Sequence, residues 1–144
     1  MTFRMNRIII VLGITLVVMM GAISGTETYG EDNITIQRLS GIWSAYDANY
    51  IPWAIQFNED GTYCTARTWL RLGSSPIDEG CFQLEGTSLT LISNKDCQSS
   101  CKGLEGRYEV EFTKDDKLLL KEQEDPCSER KAVCSSPWVR VVSK

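Results

Sequence analysis

The segment LEGRYEVEFT at positions 104–113 alternates strictly between two kinds of residue. One set is apolar or small, and the other set has four charged residues, Glu105, Arg107, Glu109 and Glu111, before it ends at Thr113. Four charged side chains on one face cannot all be buried, so that face must meet solvent and the row containing Tyr108 must face the core. A period of two residues is typical of a strand in an antiparallel sheet with one solvated face.

Shorter segments with the same alternation follow one another along the chain. The predicted strands cover 41–47, 53–57, 62–70, 81–85, 88–93, 104–113, 118–124 and 137–143, with one helical turn within 126–136. Turn residues separate the strands, and no connection is long enough for the crossover that a parallel sheet needs. We therefore predict an all-β fold, a single antiparallel up-and-down barrel of roughly eight strands, because closure removes unpaired edges.

The N-terminal residues have the composition of a secretory signal peptide. Arg4 and Arg7 precede an uncharged run at 8–23, and every acidic residue follows that run. Ala22 and Ser24 fit the small residues of a cleavage site. The run is slightly shorter than the roughly 20 apolar residues of a usual membrane span, so an uncleaved anchor is the alternative.

This assignment divides the chain into three parts. We expect a signal peptide at 1–24, a flexible lead-in at 25–38 and the barrel domain at 39–144. The domain is then secreted or held in the periplasm or cell envelope. It meets a membrane only through the N-terminal segment, if that segment stays uncleaved.

All six cysteines follow the apolar run, and an even number in a short exported domain predicts a disulfide framework. They are Cys64, Cys81, Cys97, Cys101, Cys127 and Cys134. The alternative, a metal site, lacks both closely spaced cysteine pairs and histidine, so we expect no metal and no cofactor.

A hairpin centred on Asp115 and Asp116 indicates which cysteines meet, because paired positions lie symmetrically about the turn. The favoured bridges are Cys101–Cys127, Cys97–Cys134 and, across a hairpin around Gly73, Cys64–Cys81. Local bridges, Cys97–Cys101 and Cys127–Cys134, are the alternative.

A bridge between Cys64 and Cys81 would orient the third strand. Phe82 points inward in the alternating pattern, so Cys81 and Cys64 point outward. The predicted interior then contains an arginine among aromatic residues: Phe57, Tyr63, Arg67, Trp69 and Tyr108. A buried arginine needs an anionic partner, so these side chains would bind an amphipathic molecule with a carboxylate. The opposite strand orientation would leave Arg67 in solvent.

Several classes of function are disfavoured by composition. The chain has no histidine, so a Ser-His or Cys-His nucleophile cannot form, and it has no phosphate-binding or dinucleotide motif. Removal of Arg4 and Arg7 would take the net charge from −4 to −6, which repels nucleic acid. We expect a monomer that is not an enzyme.

The segment Leu39-Ser40-Gly41-Ile42-Trp43 resembles the Gly-x-Trp signature of lipocalins and their calycin relatives. In that family the tryptophan plugs the closed end of the barrel and an arginine near the last strand packs across it. The resemblance implies this structural role for Trp43 with Arg130 or Arg140. Asp-Gly-Thr-Tyr, Gly-x-Tyr and Asp-x-Cys-x-x-Arg segments are also similar to bacterial lipocalin-like exported domains. The family's Thr-Asp-Tyr motif and long C-terminal helix are absent, so the resemblance is to compact members.

Two functions fit these observations. The first is an exported lipocalin-like domain that binds a small hydrophobic or amphipathic ligand in a barrel cavity. The alternative is an extracytoplasmic protein-binding module, an inhibitor or an envelope-tethered interaction domain, with a filled barrel and an active loop such as 71–80 or 95–103.

Overall fold

The computed structural model describes residues 34–142, so the predicted signal peptide and most of the predicted lead-in lie outside the described residues. The strands are β1 (Gly41–Tyr46), β2 (Pro52–Phe57), β3 (Thr62–Ala66), β4 (Asp78–Glu85), β5 (Ser88–Ser93), β6 (Glu105–Phe112), β7 (Leu118–Glu124) and β8 (Val139–Arg140). The helices are α1 (Ile36–Leu39), a 3-10 helix (Trp69–Arg71) and α2 (Ser128–Cys134). Within the described range, neither α-helix has the length and apolarity to cross a bilayer.

The eight strands form one antiparallel sheet in the order β7-β6-β5-β4-β3-β2-β1-β8. Each strand pairs with its neighbour in the chain, except that β8 returns to pair with β1. The sheet curls strongly into a half-barrel. Leu118 and Trp138 exchange two backbone hydrogen bonds, of 2.9 and 2.8 Å, which join the two edges at one point. The predicted all-β class with eight antiparallel strands is confirmed.

The core is built from every second residue of each strand, as the alternation predicts. In β6, Tyr108 and Val110 are buried while the four charged residues of the other row are exposed. The inward rows of β2, β4 and β5 contribute Trp53, Ile55, Phe57, Phe82, Leu89 and Leu91. Phe57 and Phe82 meet edge to face with ring centroids 5.2 Å apart, a favoured aromatic geometry.

Trp43 plugs one end of the sheet beneath α1. Its Nε1 donates to the Leu39 carbonyl at 2.8 Å, and the Arg140 guanidinium lies 4.0 Å over its ring. Arg140 also donates to the carbonyls of Ser40 and Arg38, at 2.7 and 2.5 Å. The guanidinium thereby stacks on the indole and satisfies two carbonyls at the end of a short helix.

Gly41 supplies the glycine of the Gly-x-Trp segment for a steric reason. It has φ +122°, and a Cβ there would lie 2.8 Å from Nη1 of Arg140. Of the two arginines that the resemblance implied for this position, Arg140 therefore occupies it. Arg130 lies elsewhere, on α2, which corrects that part of the expectation.

We expect Arg140→Lys to lower the free energy of unfolding by about 1–3 kcal/mol, because an ammonium group cannot stack on Trp43 and reach two carbonyls together. Urea unfolding followed by tryptophan fluorescence measures this change. Arg71→Lys, on the exposed 3-10 helix, is the matched control and should change stability by less than about 0.5 kcal/mol. Equal effects of the two substitutions would contradict the stacking role.

The cysteines agree with the predicted framework at one bridge. Cys101 and Cys127 are bonded, as predicted. Cys64, Cys81, Cys97 and Cys134 carry unbonded thiols, so the predicted bridges Cys64–Cys81 and Cys97–Cys134 are not formed.

The strand register explains why Cys64 and Cys81 are not bonded. Cys64 pairs with Glu79, and Cys81 pairs with Thr62. The two cysteines are therefore diagonal neighbours on the outer face, where Cα atoms lie about 7–8 Å apart. Disulfides usually need a Cα separation below about 7 Å.

Alkylation with iodoacetamide in denaturant, without reductant, should add four labels to the purified domain, one at each unbonded thiol. Prior reduction should raise the number to six, because it opens the Cys101–Cys127 bond. Intact-mass measurement counts the labels. A domain that takes no label without reductant would instead contain the full three-bridge framework.

Candidate functional site

The five residues of the predicted ligand pocket separate into two groups. Phe57, Tyr63 and Tyr108 are buried in the interior, whereas Arg67 and Trp69 lie on the surface. The predicted orientation of the third strand therefore holds for Tyr63, but β3 ends at Ala66, before the arginine. The Arg67 guanidinium lies 3.9 Å from the centre of the Trp53 ring. The expected buried arginine at this position is thus corrected to a surface stacking contact.

Side chains nearly fill the interior pocket that lies beside Tyr63, Asp78, Arg130 and Trp138, where a volume of about 20 Å³ is free. A cavity of this size has room for about one water molecule. A drug-sized ligand needs a pocket of roughly 300–1,000 Å³.

A different arginine, Arg130, enters the interior from α2. Its Nε and Nη2 donate to the two carboxylate oxygens of Asp125 at 2.6 and 2.9 Å, and Nη1 donates to Ser93 Oγ at 2.8 Å. The Tyr108 hydroxyl donates to the same carboxylate. Gly106 makes the room for this pair, because a Cβ there would lie 2.3 Å from Oδ2 of Asp125. The Asp-x-Cys-x-x-Arg segment therefore forms a bidentate, buried ion pair.

Asp78 is a second buried carboxylate beside this pair. It accepts hydrogen bonds from the Tyr63 hydroxyl at 3.0 Å, from Ser93 Oγ at 2.9 Å and from Ser99 Oγ at 3.2 Å. Ser93 connects the two carboxylates, because it donates to Asp78 and accepts from Arg130. Both buried carboxylates are thus fully hydrogen-bonded, as burial of charge requires.

The protonation states in this cluster are fixed by burial and hydrogen bonding. Burial alone would raise the pKa of Asp125, but hydrogen bonds from Arg130 and Tyr108 outweigh it and hold that pKa below its usual value. Burial raises the pKa of Tyr63 and of Tyr108 far above the usual range. It also raises the pKa of the Cys134 thiol to about 12. None of these four groups changes protonation near neutral pH, where general acid–base catalysis operates.

The disulfide fixes the same cluster to the sheet. Cys101, in the connection between β5 and β6, is bonded to Cys127, whose backbone N–H donates to Asp125 at 2.8 Å. Ser100 Oγ adds a hydrogen bond of 2.8 Å to Glu129 on α2. The start of α2 is therefore held in the orientation that directs Arg130 inward.

Large apolar side chains are exposed at the rim of the sheet. Five of the seven such residues in the described range lie on the connections β1–β2 and β3–β4 or at the end of β1. In an antiparallel meander these two connections lie at the same end. We call this surface the rim patch: Tyr46, Tyr50, Ile51, Trp69 and Leu70, which are 38% to 87% exposed.

Hydrogen bonds to Asp47 hold the first connection in place. Its carboxylate accepts from the backbone N–H groups of Asn49 and Ile51, at 2.8 and 3.0 Å, and from Nε1 of Trp53 at 3.3 Å. Tyr50 takes a left-handed backbone conformation, with φ 59°, and projects into solvent.

Leu72 anchors the second connection. It is buried against Ala54 and Ala66 on the outer face of the sheet, and the 3-10 helix just before it lies against β1 and β2. This packing brings Trp69 and Leu70 to the outer face on which Tyr46 also lies.

Sequence reasoning missed both the rim patch and the Arg130 cluster. The sequence pattern predicts a strand that includes Trp69 and Leu70, although Gly73 and Pro76 follow closely and indicate a long connection. Gly106 was the available signal for the cluster, since a glycine among large inward residues marks the close approach of another group.

Comparison with family models, curated proteins and solved structures gives no match to this chain. Among residues 34–142, no group of three or more cysteine, aspartate and glutamate side chains is arranged to hold a metal ion.

Asp125→Asn should lower the free energy of unfolding at pH 7 by about 3–5 kcal/mol, because it leaves the Arg130 charge buried without its partner. The wild-type carboxylate stabilises the fold above its unfolded pKa of about 3.9, and this contribution fades as pH falls through the lower pKa of the folded state. The variant should therefore lose less stability than the wild type between about pH 5 and pH 2.

Urea unfolding at a series of pH values measures both effects. Asp115→Asn, in an exposed turn, is the control and should behave like the wild type. If the free energy of unfolding falls equally with pH in the wild type and in Asp125→Asn, the assigned role of the carboxylate is contradicted.

Proposed function

We propose that this chain is an exported, lipocalin-like domain that acts as a non-catalytic protein-binding module through the rim patch. The observation that carries the proposal is the contrast between an interior pocket of about 20 Å³ and an exposed, aromatic surface on two anchored connections. The meander of strands and the stacking of Arg140 on Trp43 support the lipocalin-like part.

The composition of the rim patch resembles the centre of protein–protein interfaces. Tryptophan, tyrosine and arginine dominate the residues that contribute most to such interfaces. The patch contains one tryptophan and two tyrosines, and Arg67 and Arg71 lie on the same connection as Trp69. Aromatic side chains with few rotatable bonds supply contact area at a low cost in conformational entropy.

The anchoring of the patch also favours recognition of a protein. Asp47 and Leu72 fix the two connections through hydrogen bonds and packing, so little backbone conformational freedom remains to be lost on binding. Preorganised surfaces bind more tightly for the same contact area.

The size of the interior cavity supports this function over small-molecule transport. An amphipathic ligand would have to displace core side chains to enter the pocket beside Asp78 and Trp138, because about 20 Å³ is free there. We therefore expect titration with fatty acids and hydrophobic dyes to give no saturable change in tryptophan fluorescence.

The proposal predicts that Trp69→Ser and Tyr50→Ser each weaken capture of a partner at least about tenfold, because each removes a large anchor. The bait is the purified mature domain, and the prey is extracellular or periplasmic protein from the source cells. Captured proteins are quantified by mass spectrometry. Tyr50→Ser should leave the free energy of unfolding unchanged within about 0.5 kcal/mol, since Tyr50 is 87% exposed, and Trp69→Ser should lower it by about 1–2 kcal/mol, since half of that side chain is buried.

Val142→Ser is the matched control, because Val142 is 79% exposed and lies outside the rim patch. A partner retained equally by all three variants would bind elsewhere. Failure of the wild-type domain to enrich any protein over the Trp69→Ser variant would contradict the proposal.

A further inference from the structure

The two edges of the curled sheet meet over only part of their length. β7 has seven residues and β8 has two, and the described residues join the two edges only through the bridge between Leu118 and Trp138. Beyond that bridge, β7 faces α2 and the residues that follow it. We call this gap the seam.

The register shows which backbone groups of β7 face the seam. Thr113 N–H donates to the Lys117 carbonyl, so the backbone groups of Lys117 face the residue that follows β6. Backbone groups point to the same side at every second residue of a strand, so those of Leu119 and Lys121 face β6 as well. Those of Leu118 and the alternate residues after it face away from β6. The N–H and C=O groups of Leu118 form hydrogen bonds with the backbone of Trp138.

The next two residues on that side, Leu120 and Glu122, have no such partner. No hydrogen bond within residues 34–142 involves the N–H or C=O group of either residue on the seam side. An unpaired strand edge is a template on which another extended chain can pair.

A groove lies along this edge. It has a volume of about 350 Å³ and runs between Leu120 and Glu122 on one side and Lys131, Ser135 and Ser136 on the other. Tyr108 and Cys134 also line it and are both buried. The groove therefore combines an apolar lining with a strand edge.

Glu122 shows that the seam is open to solvent. It pairs with Tyr108 across the strands and so belongs to the inward row, yet 45% of its side chain is exposed. It lies 3.6 Å from Nζ of Lys131 on α2, an exposed ion pair that spans the groove. Exposed pairs of this kind contribute little to stability, so a ligand can displace it readily.

We propose that the seam binds an extended peptide segment of a partner protein, which pairs with β7 as an additional strand. The segment donates to and accepts from the backbone of Leu120 and Glu122, and every second side chain packs towards Tyr108 and Cys134. Three to four residues at about 3.3 Å each cover this stretch. The seam is separate from the rim patch, so the inference does not rest on the proposed function.

A second copy of this chain fits the seam less well than a heterologous peptide does. Antiparallel pairing of two β7 edges about a two-fold axis at Lys121 would place this residue directly opposite itself. Like charges in directly opposed positions are destabilising. A partner peptide with an uncharged or acidic residue at this point avoids that repulsion.

Amide hydrogen exchange tests the open edge without any ligand. In the free domain the amides of Leu120 and Glu122 should exchange much faster than those of Leu119 and Lys121, which bond to β6. If all four amides are equally protected, the seam is closed and the proposal is wrong.

A phage-displayed library of random octapeptides supplies the ligand probe. Panning on the full domain should enrich sequences with alternating apolar residues, and a synthetic copy of an enriched peptide should slow exchange at Leu120 and Glu122. Ser136→Trp, which fills the groove, should weaken binding at least about tenfold. Ser88→Trp, on an exposed position of β5, is the matched control and should leave binding unchanged.

Chemical variants of the peptide test the proposal on the wild-type domain, so the result does not depend on whether Ser136→Trp folds correctly. N-methylation of the alternate amides that face β7 should abolish binding to the wild-type domain, and N-methylation of the other amides should not. Equal binding of both methylated peptides would overturn the proposal. So would panning in which the wild-type domain enriches no peptide above the level found with the Ser136→Trp variant. So would a dimer in sedimentation whose formation protects Leu120 and Glu122, because the occupant would then be a second copy.

Discussion

The ion pair between Arg130 and Asp125 places two full charges in the interior, with their side chains 5% and 0% exposed. Charges removed from water must be matched by partners nearby, and this requirement determines much of the surrounding structure. Tyr108, Ser93 and the backbone of Cys127 are placed to complete the hydrogen bonds. The helix that carries Arg130 is in turn fixed by a covalent bond to the connection between β5 and β6.

The same requirement limits what the interior can do. The interior pocket beside the cluster has room for about one water molecule. The lowered pKa of Asp125 and the raised pKa values of Tyr63, Tyr108 and Cys134 keep each of these four groups in one protonation state around neutral pH. The surface offers two different chemistries: exposed aromatic side chains at the rim patch and backbone hydrogen-bonding groups at the seam.

Much of the fold could be predicted from the sequence because strand alternation depends on local chemistry. The inward row of β6 follows from four charged side chains that must meet water. The long-range contact between Trp43 and an arginine near the last strand is implied by the resemblance of a short segment to a known family. The position of Arg67 could not be predicted in this way, since it depends on where β3 stops. The pairing of Cys64 with Glu79 depends on a register that the long connection before β4 decides. A register shift of one or two residues decides whether two cysteines lie directly opposite each other or diagonally.

The contact at the base of the sheet joins distant parts of the chain. Arg140 donates to the Arg38 carbonyl across a separation of 102 residues, and it covers Trp43 from β8. Contacts between residues so far apart in sequence form slowly, because a long loop must close first. Since synthesis proceeds from the N-terminus, Trp43 emerges long before the arginine that covers it. A chain that has been made only as far as β7 therefore has an open base, and the contact that covers Trp43 can form only after Arg140 has been produced.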